Sequence, residues 1–91
     1  MKVKTVSLRI KGRVQGVGFR YFVFRTANQL GVNGYVVNCP NGDVYIEAET
    51  DEDTLIVFID QCRIGPIMAE VNDISIRKLN AKGYSGFSIE G

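Results

Sequence analysis

Near the start of the chain every second residue is apolar, as Val6, Leu8 and Ile10 show. Alternation with a period of two predicts a strand that buries one face. From Phe19 the apolar residues recur at helical spacing, and Gly31 stands where a left-handed helix cap is expected. The first third of the chain therefore predicts a strand followed by a helix.

A hairpin follows this helix. Residues 35–38 have the character of a second strand, and residues 44–49 alternate between apolar and polar side chains. Between them, Asn41-Gly42 supplies the positive backbone angles that a tight turn requires. Glu47 and Glu49 lie on the polar side of the third strand, where we expect them to be solvated.

A second helix is indicated after residue 50, with Thr50 and Asp51 as candidates for its N-cap. The acidic residues 51–53 fit the first turn of a helix better than a catalytic cluster, because the helix dipole favours negative charge there. Gly65-Pro66 ends the helix. Residues 73–79 alternate as a fourth strand, and a short strand is expected around Phe87 and Ile89.

The element order is thus βαββαβ with a short strand appended. We expect residues 1–91 to form a single α+β domain, a ferredoxin-like sandwich. One antiparallel sheet, with the short C-terminal strand added, should have both helices on one face.

Charge and composition narrow the possible functions. Eleven Lys and Arg residues against ten Asp and Glu residues give a net charge of +1, which disfavours a nucleic-acid partner. Apolar runs are shorter than a membrane-spanning helix, and the N-terminus has no signal-peptide core. We therefore expect a cytoplasmic protein without a membrane partner.

The chain has two cysteines and no histidine. Cys39 and Cys62 do not approach a zinc-ligand set, and both thiols are expected to be reduced. The absence of histidine removes the commonest general base and the usual partner of a nucleophilic serine or cysteine. Any catalysis must work by positioning and electrostatics.

Residues 12–20 connect the first strand to the first helix and include the glycines Gly12, Gly16 and Gly18. A glycine-rich turn at a helix N-terminus can direct several N–H groups at one anion, most naturally a phosphate. Arg20, in the first turn of the helix, could bind two phosphate oxygens. The segment is neither a Walker A loop nor a dinucleotide fingerprint, and such a loop can also be a plain connector.

Asn38 ends the second strand. In a βαβ unit the first two strands run parallel, so Asn38 should lie on the same sheet edge as the glycine-rich loop. A carboxamide can both donate a hydrogen bond to a water molecule and accept one from it. The alternative is that Asn38 only opens the hairpin. Tyr21, off the apolar stripe of the first helix, is expected to pack at the helix margin.

Two motifs resemble the acylphosphatase family. Residues 12–20, read as GRVQGVGFR, look like the family's signature without a break, and residues 34–38, GYVVN, resemble its second motif. The resemblance extends over nearly the whole chain. The family pattern is not matched at Val37 and Thr50, which bear on stability and fine tuning rather than on the reaction.

The resemblance implies hydrolysis of acyl phosphates to a carboxylate and inorganic phosphate, without metal or cofactor. It makes Arg20 the phosphate-binding arginine and Asn38 the residue that positions water, both catalytic. It also implies a phosphate cradle built from the backbone of six consecutive residues: Gln15, Gly16, Val17, Gly18, Phe19 and Arg20. We expect a monomer that acts on a small-molecule acyl phosphate.

Two other functions remain open at this point. Residues 16–22 superficially resemble the aromatic motif of RNA-recognition domains, but they open a helix here instead of lying on a central strand. The sequence also resembles acylphosphatase-like modules of larger proteins that handle carbamoyl phosphate. Such a module would bind acyl or carbamoyl phosphate without turning it over.

Overall fold

The computed structural model describes residues 2–91, which form two helices and five strands. The elements, in chain order, are β1 (Val3–Arg13), α1 (Phe19–Leu30), β2 (Asn33–Asn38), β3 (Val44–Asp51), α2 (Glu52–Ile64), β4 (Glu70–Leu79) and β5 (Phe87–Glu90). This order confirms the predicted βαββαβ arrangement with a short strand appended.

The strands form one sheet in the order β4-β1-β3-β2-β5. Strand β1 is antiparallel to both β3 and β4, and β2 is antiparallel to β3. Strands β1 and β2 are therefore parallel to each other on either side of β3, as expected. Strand β5 pairs in parallel with β2, from Gly34 opposite Phe87 to Val37 opposite Glu90. The sheet is mixed, because the appended strand adds a parallel pair to four antiparallel strands.

The core lies between one face of the sheet and both helices. Alternate strand residues such as Leu8 and Ile46 are fully buried against Val23 of α1 and Phe58 of α2. This packing confirms the predicted two-layer sandwich. Neither helix of residues 2–91 has the length and apolar character that crossing a bilayer requires.

Strand β1 continues to Arg13, beyond the predicted end at Lys11. Gly12 has a φ of 136°, and a Cβ atom there would lie 2.0 Å from the carbonyl oxygen of Glu70 in β4. The pairing of β1 with β4 shifts register between Lys11 and Gly12. Gly12 therefore serves the close approach of two strands, and it does not belong to the loop before α1.

The helix ends that the sequence indicated are present, at Gly31, Asp51 and Gly65. The carboxylate of Asp51 accepts a hydrogen bond from the backbone N–H of Thr54 at 3.1 Å, which makes Asp51 the N-cap of α2. Gly31 ends α1 in the left-handed conformation with a φ of 76°.

Cys39 and Cys62 are free thiols, and burial raises the pKa of Cys62 to about 12.

The expectation that Glu49 is solvated is wrong. The residue is only 5% exposed, and its carboxylate accepts a hydrogen bond from the hydroxyl of Thr5 at 2.6 Å. It also accepts bonds from the backbone N–H groups of Lys82 at 2.7 Å and Tyr84 at 2.9 Å. Residues 80–86 thus contact the helix-free face of the sheet, where alternation within β3 alone predicts solvent.

Glu47 is also partly buried on this face, contrary to expectation. Its carboxylate accepts hydrogen bonds from the hydroxyl of Tyr45 at 2.6 Å and from the hydroxyl of Tyr84. The rings of Tyr35, Tyr45 and Tyr84 lie around it, with Tyr35 in contact with both others. The helix-free face is therefore covered in part by tyrosines and by the loop before β5.

Candidate active site

Residues 14–18 connect β1 to α1 and form the loop that the sequence singled out. Val14 is 1% exposed and anchors the loop in the core. Gly16 and Gly18 have φ values of 74° and 79°, a left-handed conformation that residues with a side chain rarely adopt. Both glycines have open space beside them, so the backbone conformation, and not a lack of room, requires glycine here.

Gly18 is the N-cap of α1, and it has no side chain to accept a hydrogen bond from the first turn. The first N–H groups of a helix have no partner within the helix, and the helix dipole makes this end positive. The N-terminus of α1 therefore presents donors to the space in front of it. Such an arrangement favours an anion.

Arg20 lies in the first turn of α1 and extends toward the end of β5. Its Nη1 donates a hydrogen bond to the carbonyl oxygen of Glu90 at 3.1 Å, with that of Gly91 at 3.5 Å. Within residues 2–91 no other nitrogen of the guanidinium has a hydrogen-bond partner. The end of β5 thus holds the side chain while the remaining N–H groups stay available for a ligand.

Asn38 is the last residue of β2, and it shares the helix side of the sheet with Val36. Its Oδ1 atom is buried and has no hydrogen-bond partner among residues 2–91. Buried polar atoms are nearly always satisfied, so an unpaired one calls for an explanation, such as a ligand or a water molecule. The turn of the hairpin is held by a different asparagine. The side chain of Asn41 donates a hydrogen bond to the carboxylate of Asp43 and accepts one from its backbone N–H, so the hairpin does not need the side chain of Asn38.

Arg20 and Asn38 line the same cavity, which has a volume of about 240 Å³. The loop, the helix and two strands form its wall: Val14, Gly16, Gly18, Phe19, Arg20, Tyr21, Asn38 and Ile89. No carboxylate is among these residues, so the lining is neutral apart from the guanidinium. The structure thus brings the two candidate catalytic residues together beside the uncapped start of α1.

Two members of the predicted cradle do not line the cavity. Val17 packs against the hydrophobic core. The side chain of Gln15 turns away to donate hydrogen bonds from Nε2 to the carbonyl oxygens of Cys39 and Asp43, both at 2.8 Å. Gln15 therefore connects the loop to the hairpin that follows Asn38.

Three contributions to the site were missed by the sequence reasoning. Ile89 lines the cavity and Glu90 holds Arg20, because β5 pairs in parallel beside β2. Tyr21 also lines the cavity, although it was expected to pack at the helix margin. An alternating pattern of a few residues does not reveal which edge of the sheet β5 joins.

No group of three or more potential metal ligands occurs within residues 2–91.

Comparisons with known proteins show which family the chain resembles. The acylphosphatase family model matches residues 6–89. Acylphosphatase from Thermotoga maritima is 44% identical over 88 residues, which cover 97% of this chain and 98% of that protein. Acylphosphatase from Thermococcus kodakarensis is 40% identical over 91 residues, with both chains fully covered.

Solved structures show the same likeness. The crystal structure of acylphosphatase from Bacillus subtilis superposes with a TM-score of 0.94 at 37% identity, covering 97% of this chain and 99% of that one. Full-length HypF, in a phosphate- and nucleotide-bound form, gives a TM-score of 0.89 at 32% identity, covering 99% of this chain but 12% of HypF.

Fold, site and comparisons together define a hydrolase that acts on acyl phosphates. More specifically, the chain belongs to the acylphosphatase family.

Proposed function

We propose that Arg20 and the loop amides bind the phosphoryl group of an acyl phosphate while Asn38 positions the attacking water. The observation that carries this proposal is that Asn38 lines the same cavity as Arg20 and that its buried Oδ1 has no hydrogen-bond partner among residues 2–91. A carboxamide and a guanidinium thus line one cavity at the N-terminus of α1. A carboxamide can bind the attacking water, and a guanidinium can bind the phosphate.

The phosphoryl oxygens bind to backbone N–H groups of residues 15–20, and Arg20 contributes charge-assisted hydrogen bonds. Charge spreads over these oxygens during phosphoryl transfer, so fixed donors stabilise the transition state. The carbonyl oxygen of Glu90, 3.1 Å from Nη1 of Arg20, limits the rotation of the guanidinium before the substrate binds. This contact reduces the conformational entropy that the Arg20 side chain loses when the substrate binds.

Asn38 accepts a hydrogen bond from the water through Oδ1 and orients it in line with the bond that breaks. The P–O bond to the carboxylate breaks as the water oxygen bonds to phosphorus. The carboxylate leaves as a weak base and needs no general acid. The proton of the water passes to a phosphoryl oxygen of the substrate, which fits a cavity lined by no carboxylate and a chain without histidine.

Several broader properties belong to the same proposal. We propose that residues 1–91 form a single domain that acts in the cytoplasm as a monomer, without metal or cofactor and without a nucleic-acid partner. The nearly balanced charge supports the last point. The cavity lining has one cation, Arg20, and no carboxylate. These groups suit an anionic substrate and do not form a ligand set for a metal ion.

A non-catalytic domain that binds an acyl phosphate, such as carbamoyl phosphate, is the second candidate. The observation in its favour is the match to HypF, where 99% of this chain corresponds to 12% of a larger protein. Binding of carbamoyl phosphate without turnover would support this candidate. The two candidates use the same residues, so only turnover separates them.

The decisive experiment follows benzoyl phosphate hydrolysis by absorbance in the presence of excess chelator. The wild-type protein should turn over rapidly, and Arg20→Gln should lose about 10²–10³ in kcat/KM. Arg63→Gln, an exposed arginine of α2, is the matched control and should behave as the wild type. Folded wild-type protein without turnover, or Arg20→Gln with normal turnover, would overturn the proposed mechanism.

A further inference from the structure

A second cavity lies on the helix-free face of the sheet and has a volume of about 510 Å³. Six residues of β1, β3 and β4 line it: Ser7, Arg9, Tyr45, Ser75, Arg77 and Leu79. None of these residues lines the candidate active site. The hydrolysis of acyl phosphates described above uses no part of this cavity.

The strand register places two arginines together in it. Arg9 of β1 lies opposite Ser75 of β4, and Ser7 lies opposite Arg77. Residues opposite each other in an antiparallel pair share a face, and diagonal neighbours are roughly 7–8 Å apart. Arg9 and Arg77 are therefore diagonal neighbours on one face, with a serine hydroxyl opposite each of them.

The lining is cationic, since it includes two guanidinium groups and no carboxylate. Arg77 is exposed and forms no ion pair with any of residues 2–91. The nearest acid on β3 is Glu47, opposite Ser7, and its oxygens accept hydrogen bonds from two tyrosine hydroxyls. The positive charge of Arg77 is thus left without an ion-pair partner among residues 2–91.

Arg9 is already held in place for a ligand. Its guanidinium stacks over the ring of Tyr45, 5.4 Å from the centroid, and its Nη1 lies 3.4 Å from a carboxylate oxygen of Asp43. The hydrogen bond to Asp43 keeps the pKa of Arg9 above its usual value. Only Nη1 has partners among residues 2–91, so the remaining N–H groups can bind a second anion.

We propose that this cavity binds a small molecule that carries both a phosphate group and a planar ring, as a nucleotide does. Two guanidinium groups and two hydroxyls match the several oxygens of a phosphate dianion. The ring of Tyr45 and the side chain of Leu79 form the apolar part of the lining, where the planar ring packs. The volume lies in the range of small-molecule sites.

The test is a titration of the ¹⁵N-labelled wild-type protein with adenosine 5′-monophosphate, in which amide resonances report each site separately. Saturable shifts should occur at the amides around Ser7, Tyr45 and Ser75. Adenosine, which has no phosphate, should cause much weaker shifts there. Shifts confined to residues 16–20, or equal affinity for adenosine, would overturn the proposal.

Two exposed neighbours on β4 give a matched pair of variants. Arg77→Gln should weaken the affinity at this cavity by about tenfold, the loss expected for one charge-assisted donor group. Lys78→Gln removes the same charge from the other face of the sheet and should leave the affinity unchanged. Both variants should hydrolyse acyl phosphate as the wild type does. Equal affinity in Arg77→Gln and Lys78→Gln would contradict the proposal.

Discussion

The side-chain amide of Gln15 donates a hydrogen bond to the carbonyl oxygen of Cys39 at 2.8 Å. The same Nε2 atom donates to the carbonyl oxygen of Asp43, also at 2.8 Å. Gln15 belongs to the loop before α1, and Cys39 directly follows Asn38. One side chain thus fixes the distance between the loop and the strand end that carries Asn38, although the two are far apart in sequence.

We predict that Gln15→Leu separates these two parts of the site. Both carbonyl oxygens keep a backbone hydrogen bond within the hairpin, so the loss of stability should be only about 1–2 kcal/mol. The kcat for benzoyl phosphate should nevertheless fall by about 10–10²-fold, because a small displacement of Asn38 relative to the loop reduces catalysis strongly. Gln29→Leu, in an exposed position of α1, is the control for added apolar surface. Unchanged kcat in Gln15→Leu would show that this connection is not needed.

Asn38 gives a prediction that separates binding from turnover. Asn38→Ala removes the Oδ1 atom, which has no partner among residues 2–91, but leaves Arg20 and the loop amides in place. We expect kcat to fall by about 10²–10³-fold while the inhibition constant of inorganic phosphate changes little. Asn28→Ala, on the exposed side of α1, should change neither quantity. A parallel loss of phosphate affinity in Asn38→Ala would instead assign the residue to phosphate binding.

Periodicity within the chain was sufficient to predict the elements that face the core. Alternation in β1 and helical spacing in α1 each reflect burial against one neighbouring layer, so a single sequence records them. The same alternation was misleading at Glu47 and Glu49, because the polar side of β3 is covered by residues 80–86. Which distant segment covers a strand depends on the tertiary path of the chain, and local periodicity contains no record of it.

The candidate site could be predicted only in part for the same reason. The motif around Arg20 and the strand end at Asn38 are local features, and parallel strands bring them to one edge. The contact of Arg20 with Glu90 depends on β5 joining that edge, which its short pattern does not specify. Gly12 was grouped with Gly16 and Gly18 because sequence alone does not distinguish a strand contact from a turn.

This distinction leads to a stability prediction. Gly12→Ala would place a Cβ atom 2.0 Å from the carbonyl oxygen of Glu70, at a φ of 136°. Steric overlap and backbone strain together should cost about 2–5 kcal/mol in the free energy of unfolding. Gly31→Ala, which has a φ of 76° but open space, should cost only the backbone term of about 1–2 kcal/mol. Urea unfolding measures the free energy of unfolding of both variants. Equal decreases would mean that β4 moves away from the new Cβ atom at little cost.

Glu49 provides the pH-dependent prediction. The hydroxyl of Thr5, followed by the backbone N–H groups of residues 82–84, lowers the pKa of its carboxylate below the usual value. A carboxylate with a lowered pKa in the folded state stabilises the protein at pH values above its pKa in the unfolded chain. That stabilisation is lost as the pH falls from the unfolded pKa through the lowered folded pKa, because in this range the unfolded chain binds the proton more readily than the folded protein.

Glu49→Gln should therefore destabilise the protein most near about pH 7, where the glutamine lacks the charge that the three N–H groups and the hydroxyl stabilise. In urea unfolding, the difference in the free energy of unfolding between wild type and Glu49→Gln should shrink at acidic pH, below about 4.3, the ordinary glutamate pKa, because the unfolded wild-type chain then takes up a proton at Glu49. Glu70→Gln, an exposed residue at the start of β4, should show little difference from wild type at either pH. A gap that stays constant with pH would mean that the shape of Glu49, and not its charge, holds residues 80–86 against the sheet.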